Sequence, residues 1–565
     1  MVDDALTPAA SASLVLRCLD ARRERSILRP DIRRMIKSVW NKGPCLLMEA
    51  MLVYWGILAL VLPVTTWDSQ VYNLGRLAII EKAGFWQGSA WNSVRQVAFP
   101  WSFDAVHYPF LKLGWGTALP NYLCFLGLSV ILFQLISLRG KNHVAYWAIL
   151  ILLAMPTLML QATSTKNDFV IVFGSCCWLY ALVRFQEKQS RFLLFVAALS
   201  LAFTIGSKTS AIPICGILTI ITICHLWKSQ RALLIFFCFF IPLLVLFGST
   251  ETYFLNWQLY HHPLGPESFI SQHANHDGIR GACANFIRYY FGNISYPINN
   301  VSFLEDRCRD FLRVLGLNNV GYRTGTTDQT IQFLRNGYDS GSDFGMIGFL
   351  AMLISSLRCL KPDVRNPTFV LAAIGFLQLA INAYFIAWMP WNARFLCGSF
   401  VAFGVVIAIM AFGSRPFFAP IFGTLIVVAV IYNPLLCQER NPSSIKATLS
   451  HRIDLTFDQQ RAKKPVYKEV LALQATGAKD WFLVGGSDSW VLPFLTINSI
   501  HWSLTPEWDQ LAKKIKAFNT TSSNSQTGSN AQKHILVLDR ELPQDLSYEI
   551  VKSFPQSTYI LRVPS

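Results

Sequence analysis

Apolar runs of about twenty residues, broken by short polar stretches, recur from near Leu46 to near Asn433. A helix needs roughly that length to cross a bilayer core about 30 Å thick, so the pattern predicts about eleven membrane-spanning helices. They begin near Leu46, Leu119, Val144, Phe169, Phe192, Ser210, Ala232, Phe344, Thr368, Phe395 and Phe417. The expected fold is a polytopic α-helical membrane protein, with a transmembrane module over residues 46–435.

The polar stretches alternate in charge. Arg139 and Lys141, then Arg184, Lys188 and Arg191, Lys228 and Arg231, Arg358, Lys361 and Arg365, and finally Arg415 lie in every second connection. The tail over residues 1–45 is basic too, through Arg22, Arg23, Arg25, Arg29, Arg33, Arg34 and Lys37. Basic loops face the cytoplasm, so the N-terminus is expected there and, with an odd number of spans, the C-terminus outside. The remaining connections then share the outer face. They are an aromatic-rich loop at about 67–118, the short stretches Gln161–Asp168, Gly206–Ser210 and Met389–Arg394, and a long loop at about 251–342. Tryptophans in the first of these suit a segment lying at the membrane interface.

Past the last run the pattern changes. Helix-like Pro465–Ala475 and Glu507–Phe518 alternate with strand-like Trp481–Val484 and His534–Leu538, and Asn519–Asn530 is a Ser/Asn/Thr/Gly-rich linker. Residues 436–565 are therefore expected to form a small extracytoplasmic α/β domain. Gly485-Gly486-Ser487-Asp488 suits a strand-to-helix turn or, less often, an anion-binding one.

Composition agrees with the pattern. Of 565 residues, 53% are hydrophobic and 15% charged, against roughly 25% charged in soluble domains. The net charge of +16 would suggest nucleic acid on a soluble face, but its placement in the tail and the alternate loops accounts for it without such a partner. Most of the thirteen cysteines fall inside spans as small apolar residues. Spacing leaves a Cys283–Cys308 bridge open. The first apolar run starts too deep for a cleaved signal peptide and is expected to be a retained anchor.

Ionisable residues are nearly absent from the span centres, Glu49 near the start of the first being the exception. Ion-coupled transporters place charges near the midplane and break their helices there. The charges of interest here sit at outer helix ends. Asp68 follows the first span, and Asp168 opens the fourth, where a carboxylate also gains from the helix dipole. Helix capping is the plain role for Asp168 and a solvated loop the plain role for Asp68. Their common face with Arg76, Lys112, Lys166, Lys208 and Arg394 adds a second role, since such cations either snorkel or bind a lipid phosphate. Transfer of a sugar from a polyprenyl phosphate needs one base for the acceptor hydroxyl and cations for the departing phosphate. In the long loop, His273, His276 and Asp277 are spaced as one helix face; a polar face is the commoner origin of that spacing, and no metal is assigned to it.

Asp68-Ser-Gln-Val-Tyr-Asn-Leu-Gly-Arg76 resembles the first outer-loop motif of bacterial GT-C membrane glycosyltransferases, the group of the protein mannosyltransferases and aminoarabinose transferases. His107-Tyr-Pro-Phe-Leu-Lys112 is similar to a His/Lys-Pro-Pro-Leu-x-Lys stretch of that group, departing from it at Tyr108 and Phe110. Gln161–Asp168 resembles the loop carrying its second acidic residue, and Trp391-Asn-Ala-Arg394 a late Trp-x-x-Arg. The resemblance covers about the first 435 residues. It implies a polyprenyl-phosphate-linked sugar donor, a hydroxyl-bearing glycan, lipid or protein acceptor, inversion at the sugar carbon, and the outer face of a bacterial inner membrane. It implies Asp68 as catalytic base and Asp168 as a second acidic site residue, with Arg76, His107, Tyr108, Lys112, Lys208 and Arg394 contacting substrate or lipid phosphate. No cofactor is implied, and a divalent metal stays open. Two other classes fit a many-span chain with a large outer loop. An O-antigen ligase or polymerase would rely on Arg and His in the large loop, and an exporter or flippase would not need the C-terminal domain.

Overall fold

The computed structural model of the chain describes residues 32–63, 65–85, 94–138, 142–294, 302–323, 344–414, 419–436, 463–476, 480–485, 492–497, 501–504, 533–538, 542, 548–554 and 558–562. By its contacts the chain divides into Met1–Leu47 and Met48–Ser565. Of the first unit only the opening of the helix Ile32–Val61 is described; the fold and the site belong to the second. The tail arginines Arg22, Arg23, Arg25 and Arg29, the expected helix Glu507–Phe518, the linker after it and the turn at Gly486–Asp488 lie outside the described residues.

The protein is an integral membrane protein built as a helical bundle. Among the described residues, seven helices are long and apolar enough to cross a membrane: Lys42–Val61, Leu119–Ser137, Asp168–Lys188, Thr209–Leu226, Gln230–Phe247, Pro367–Phe385 and Asn392–Gly413. Asn142–Leu153 and Pro156–Ala162 add an eighth if the pair, bent by 82°, is one span. The bend has a local cause. Pro156 has no N–H to give to a carbonyl one turn back and holds Met155 extended, at φ −99° and ψ 107°. The other three expected runs fold as shorter apolar helices, Arg191–Ile205, Gly345–Cys359 and Ala419–Leu436.

Two features of packing set the site. The first helix ends at Leu62-Pro63, and the chain re-enters helix at Trp67-Asp68. It then widens into a π-turn over Ser69–Asn73, every residue of which is buried, before the helix Leu74–Ala83. Elsewhere, the helices Asp168–Lys188 and Arg191–Ile205 touch with nothing between them. A Cβ on Gly174 would lie 2.0 Å from Thr204 Oγ1, so only glycine permits this close approach.

Where it is described, the long loop folds largely as helices, Thr250–Tyr260, Glu267–His273, Gly278–Ile294 and Ser302–Val314. In the C-terminal region the expected helix after Pro465 and the strands at Trp481–Val484 and His534–Leu538 form, and three further strands join them that the pattern does not single out. After the helix Lys464–Ala475 come β1 (Asp480–Gly485), β2 (His501–Leu504), β3 (Lys533–Leu538), β4 (Glu549–Phe554) and β5 (Thr558–Arg562). They form one sheet in the order β2-β1-β3-β5-β4, in which β1 runs parallel to β2 and β3 while β5 runs antiparallel to β3 and β4. Alternate residues of β1 enter different cores, as the two-residue period of a strand requires. Phe482 and Val484 pack with Ile535, Val537 and Leu561. Trp481 and Leu483 pack with Val466, Tyr467 and Val470, and with Val71, Ala78 and Ile79 from the segment after Asp68. The sheet and the first loop therefore share one core.

Candidate active site

Asp68 lies one residue before the π-turn, with its side chain 18% exposed. Arg394 Nη1 donates a hydrogen bond to its Oδ2, and Lys166 Nζ stands 3.8 Å from the same oxygen. Burial alone would push this carboxyl up. Arg394, then Lys166, more than reverse that and hold it well below the usual carboxylate range.

Asp168 occupies the first turn of its helix and is buried. Lys208 Nζ donates to its Oδ1, and Arg394 Nε lies 3.8 Å from its Oδ2. The stretch before it, Thr163–Asp168, is buried throughout. Asn121 fixes that stretch by donating to the carbonyls of Ser164 and Lys166 at 2.7 and 2.9 Å.

Lys208 owes its place to a second glycine. A Cβ on Gly206 would meet the Phe247 carbonyl oxygen at 1.9 Å. Its own carbonyl accepts from Ser102 N at 2.9 Å and Ser249 Oγ at 2.8 Å. This anchors the helix end, and Lys208 leaves it in extended conformation toward Asp168. Arg394 stands in the 3-10 turn Asn392–Leu396, where Asn392 Nδ2 donates to the Ala387 carbonyl at 2.9 Å. Arg394 thus bridges both carboxylates.

Three cations, Lys166, Lys208 and Arg394, surround two carboxylates. Lys208 and Arg394 each carry further N–H donors beyond those given to the carboxylates, and an anion can accept from them. Asp168 also lines a narrow cleft whose walls include Ile171, Val172, Pro213 and Ile214, with Gln378 and Asn382 adding polar groups. A charged cluster beside an apolar cleft suits an amphiphile with an anionic head.

No family model matches the chain, and no curated protein matches it. Among solved structures it is similar to ArnT from Cupriavidus metallidurans bound to undecaprenyl phosphate, at 14% identity and a TM-score of 0.40 over 92% of this chain and 97% of that one. The apo state of the same protein gives 13% identity and a TM-score of 0.40, with the same coverage. At that level the likeness says nothing about substrate.

Of the residues singled out in the sequence, Asp68, Asp168, Lys208 and Arg394 converge. Arg76, His107, Tyr108 and Lys112 are placed elsewhere, and among the described contacts none of these four reaches Asp68 or Asp168. Arg76 is buried, donates to the carbonyls of Phe99 at 2.5 Å and Arg95 at 3.0 Å, and lies 3.5 Å from Asp104 Oδ2. His107 is buried with Nδ1 2.6 Å from the Thr117 carbonyl, and burial pushes its pKa down to about 4, so the ring is neutral at pH 7. Tyr108 packs beside Leu74, Leu77 and Leu111. Lys112 is 42% exposed and paired with Glu81.

His273, His276 and Asp277 do not share a helix face, because the helix ends at His273. His273 Nδ1 lies 2.8 Å from the Phe269 carbonyl, His276 Nε2 lies 2.7 Å from that of Ser271, and Asp277 accepts from Gly321 N at 2.5 Å. Among the described residues no group of three His, Cys, Asp or Glu side chains is arranged to hold a metal. The Cys283–Cys308 bridge that the spacing leaves open is not formed.

Two site features carry weak sequence signals. Lys166 is visible only as one more nearby cation. Asp104, fully buried beneath the cluster, opens a helix in the stretch otherwise noted for His107 and Lys112, and an Asp at a helix start draws no notice.

Proposed function

We propose that the protein is a membrane glycosyltransferase that moves a sugar from a polyprenyl-phosphate donor to a hydroxyl of a glycan, lipid or protein. The reading rests on one observation: Arg394 joins both carboxylates beside a cleft with apolar walls. The cations receive the donor phosphate, and the cleft receives the first isoprenoid units. Asp68 takes the proton of the acceptor hydroxyl as its oxygen bonds to the anomeric carbon. The carbon–oxygen bond to phosphate breaks, its electron pair stays on the phosphate, and Arg394 with Lys208 stabilises the added charge. A single displacement inverts the anomeric carbon. No cofactor takes part.

Arg394 gives the base a further property. Paired with it, Asp68 is a weak base. A donor phosphate competes for the guanidinium, so binding of donor strengthens the base that the transfer needs. Asp168 holds Lys208 beside the same phosphate.

The basic loops support a cytoplasmic N-terminus in a bacterial inner membrane, with the cluster and C-terminal sheet on the outer face. A reporter fused after Ser565 is expected to read outside. The test of function is transfer from synthetic polyprenyl-phosphate sugars by the purified full chain in lipid nanodiscs. Asp68→Asn is expected to lose roughly 10²- to 10⁴-fold in rate, the usual range for a general base, and Asp168→Asn to lose activity as well. Full activity in Asp68→Asn ends the proposal.

A further inference from the structure

Beneath the cluster lies a third carboxylate that touches neither Arg394 nor the cleft. Asp104 is completely buried. Its Oδ1 accepts from Asn73 Nδ2 at 2.9 Å and from Asn167 Nδ2 at 2.8 Å, and its Oδ2 lies 3.5 Å from Arg76 Nη1. Asn73 closes the π-turn that Asp68 opens, and Asn167 immediately precedes Asp168. The Asn167 amide also donates to the Ser207 carbonyl at 3.0 Å, next to Lys208. One carboxylate therefore ties together three of the four segments that build the cluster. The fourth is the Arg394 turn.

The chemistry of these contacts calls for an acid. A carboxylate only accepts hydrogen bonds, so it dictates that both asparagines turn their N–H groups inward. Their own Oδ1 atoms are buried without a hydrogen-bond partner among the described residues, which shows that the carboxylate sets the orientation. A buried charge is costly unless paired, and a site that needed only filling would be served by an apolar residue. Arg76 supplies the pairing and carries the tie into the loop through the Phe99 and Arg95 carbonyls.

We infer that Asp104 is a positioning residue that holds the Asp68 and Asp168 segments in register through Asn73 and Asn167. The inference rests on the glycosyltransferase reading only for its kinetic consequence; the tie itself is independent of it.

The experiment uses the purified full chain in lipid nanodiscs, with hydrogen–deuterium exchange over residues 66–76 and 163–168 alongside steady-state transfer. Asp104→Asn is expected to speed exchange in both segments. Asn167→Ala is expected to speed it in 163–168 alone. Asn73→Ala, which removes the other donor to the same Asp104 oxygen, is expected to speed it in 66–76 alone. In transfer, Asp104→Asn should lower kcat by about 10- to 100-fold with donor KM changed by less than about threefold, the pattern of misplaced groups rather than lost binding contacts. Unchanged exchange in either segment of Asp104→Asn overturns the tie. If Asp104→Asn does not fold, Asn73→Ala and Asn167→Ala decide in its place, and unchanged exchange in the segment of either one overturns it. Wild type that transfers no sugar from any polyprenyl-phosphate donor defeats the function proposed above, while the exchange comparison still decides the role of Asp104.

Discussion

Arg394 donates a hydrogen bond to Asp68 across 326 residues of sequence. The same guanidinium approaches Asp168, so a single side chain from the head of the Asn392–Gly413 helix closes the cluster. Its charge is committed to carboxylates, and the proposed function has a donor phosphate compete for it. On the proposed function, Arg394→Gln is expected to weaken binding of a polyprenyl phosphate by roughly ten- to a hundred-fold, since a hydrogen bond to a charged group is worth about 1.5–3 kcal/mol. Arg394→Lys should recover part of this, keeping the charge but losing the planar fork. Native mass spectrometry of the purified protein with the lipid measures both. Unchanged affinity in Arg394→Gln would confine the arginine to a role at Asp68.

Asp104 and His107, three residues apart, make opposite contributions to stability against pH. Burial raises Asp104 from 3.8 to about 6, the effect of Arg76 only partly offsetting it. Between these values the folded state holds a proton that the unfolded chain has lost, so stability from this group falls as pH rises, by about 3 kcal/mol in all. His107 runs the other way. Its pKa drops from 6.5 to about 4, so the unfolded chain binds the extra proton and stability rises with pH, again by about 3 kcal/mol. The two nearly cancel between pH 4 and 6. Removing one exposes the other: the melting temperature of Asp104→Asn should climb with pH across that window more steeply than wild type, and that of His107→Asn should decline relative to it. Parallel curves for the three proteins would contradict the burial argument.

The spans are legible in the sequence because a bilayer imposes a length, and the expected starts at Leu119, Phe169 and Thr368 fall at the first or second residue of a helix. The bend at Pro156 is not, since an apolar run reads the same whether straight or folded. In the site, common sidedness is enough to group Asp68, Asp168, Lys208 and Arg394. It cannot separate Arg394 from Arg76. The π-turn between Asp68 and Arg76 inserts about one extra residue, which rotates the succeeding helix by roughly 100°. Arg76 accordingly faces Asp104, and no spacing in the sequence announces the wider turn. The α/β pattern after residue 463 shows strands, yet nothing in it indicates that Ile79 covers one face of their sheet.

Gly206 is expected to be intolerant of any side chain. An added methyl would meet not only the Phe247 carbonyl oxygen at 1.9 Å but also Gly248 C and Ser102 Oγ at 2.7 Å, and two of these three are backbone atoms that cannot swing aside. Overpacking of this kind costs about 1–3 kcal/mol, occasionally more. Gly206→Ala should therefore lower the melting temperature and, by displacing Lys208 two residues on, weaken the polyprenyl-phosphate binding proposed above. Gly216, on the neighbouring helix, has nothing within 4 Å of its added methyl. Gly216→Ala is the matched control and should leave both measurements at wild-type values.

The core shared between the sheet and the Asp68 segment makes the C-terminal region part of the site's foundation. Ile79 is 1% exposed and packs in one cluster with Trp481, Tyr467 and Ile560. Ile79→Ala removes three buried carbons and should destabilise the protein by about 2–5 kcal/mol, the range for such truncations in cores. The matching deletion from the other side is Tyr467→Ala, in the helix Lys464–Ala475. If the two faces form one cooperative unit, the double variant should be less destabilised than the sum of the singles, because each single already opens the same cavity. Either single should also speed amide exchange over 66–76 and reduce transfer. An additive pair with exchange at 66–76 unaltered would mean that the sheet folds on its own and only rests against the loop, leaving the register of Asp68 to Asn73 and Asp104.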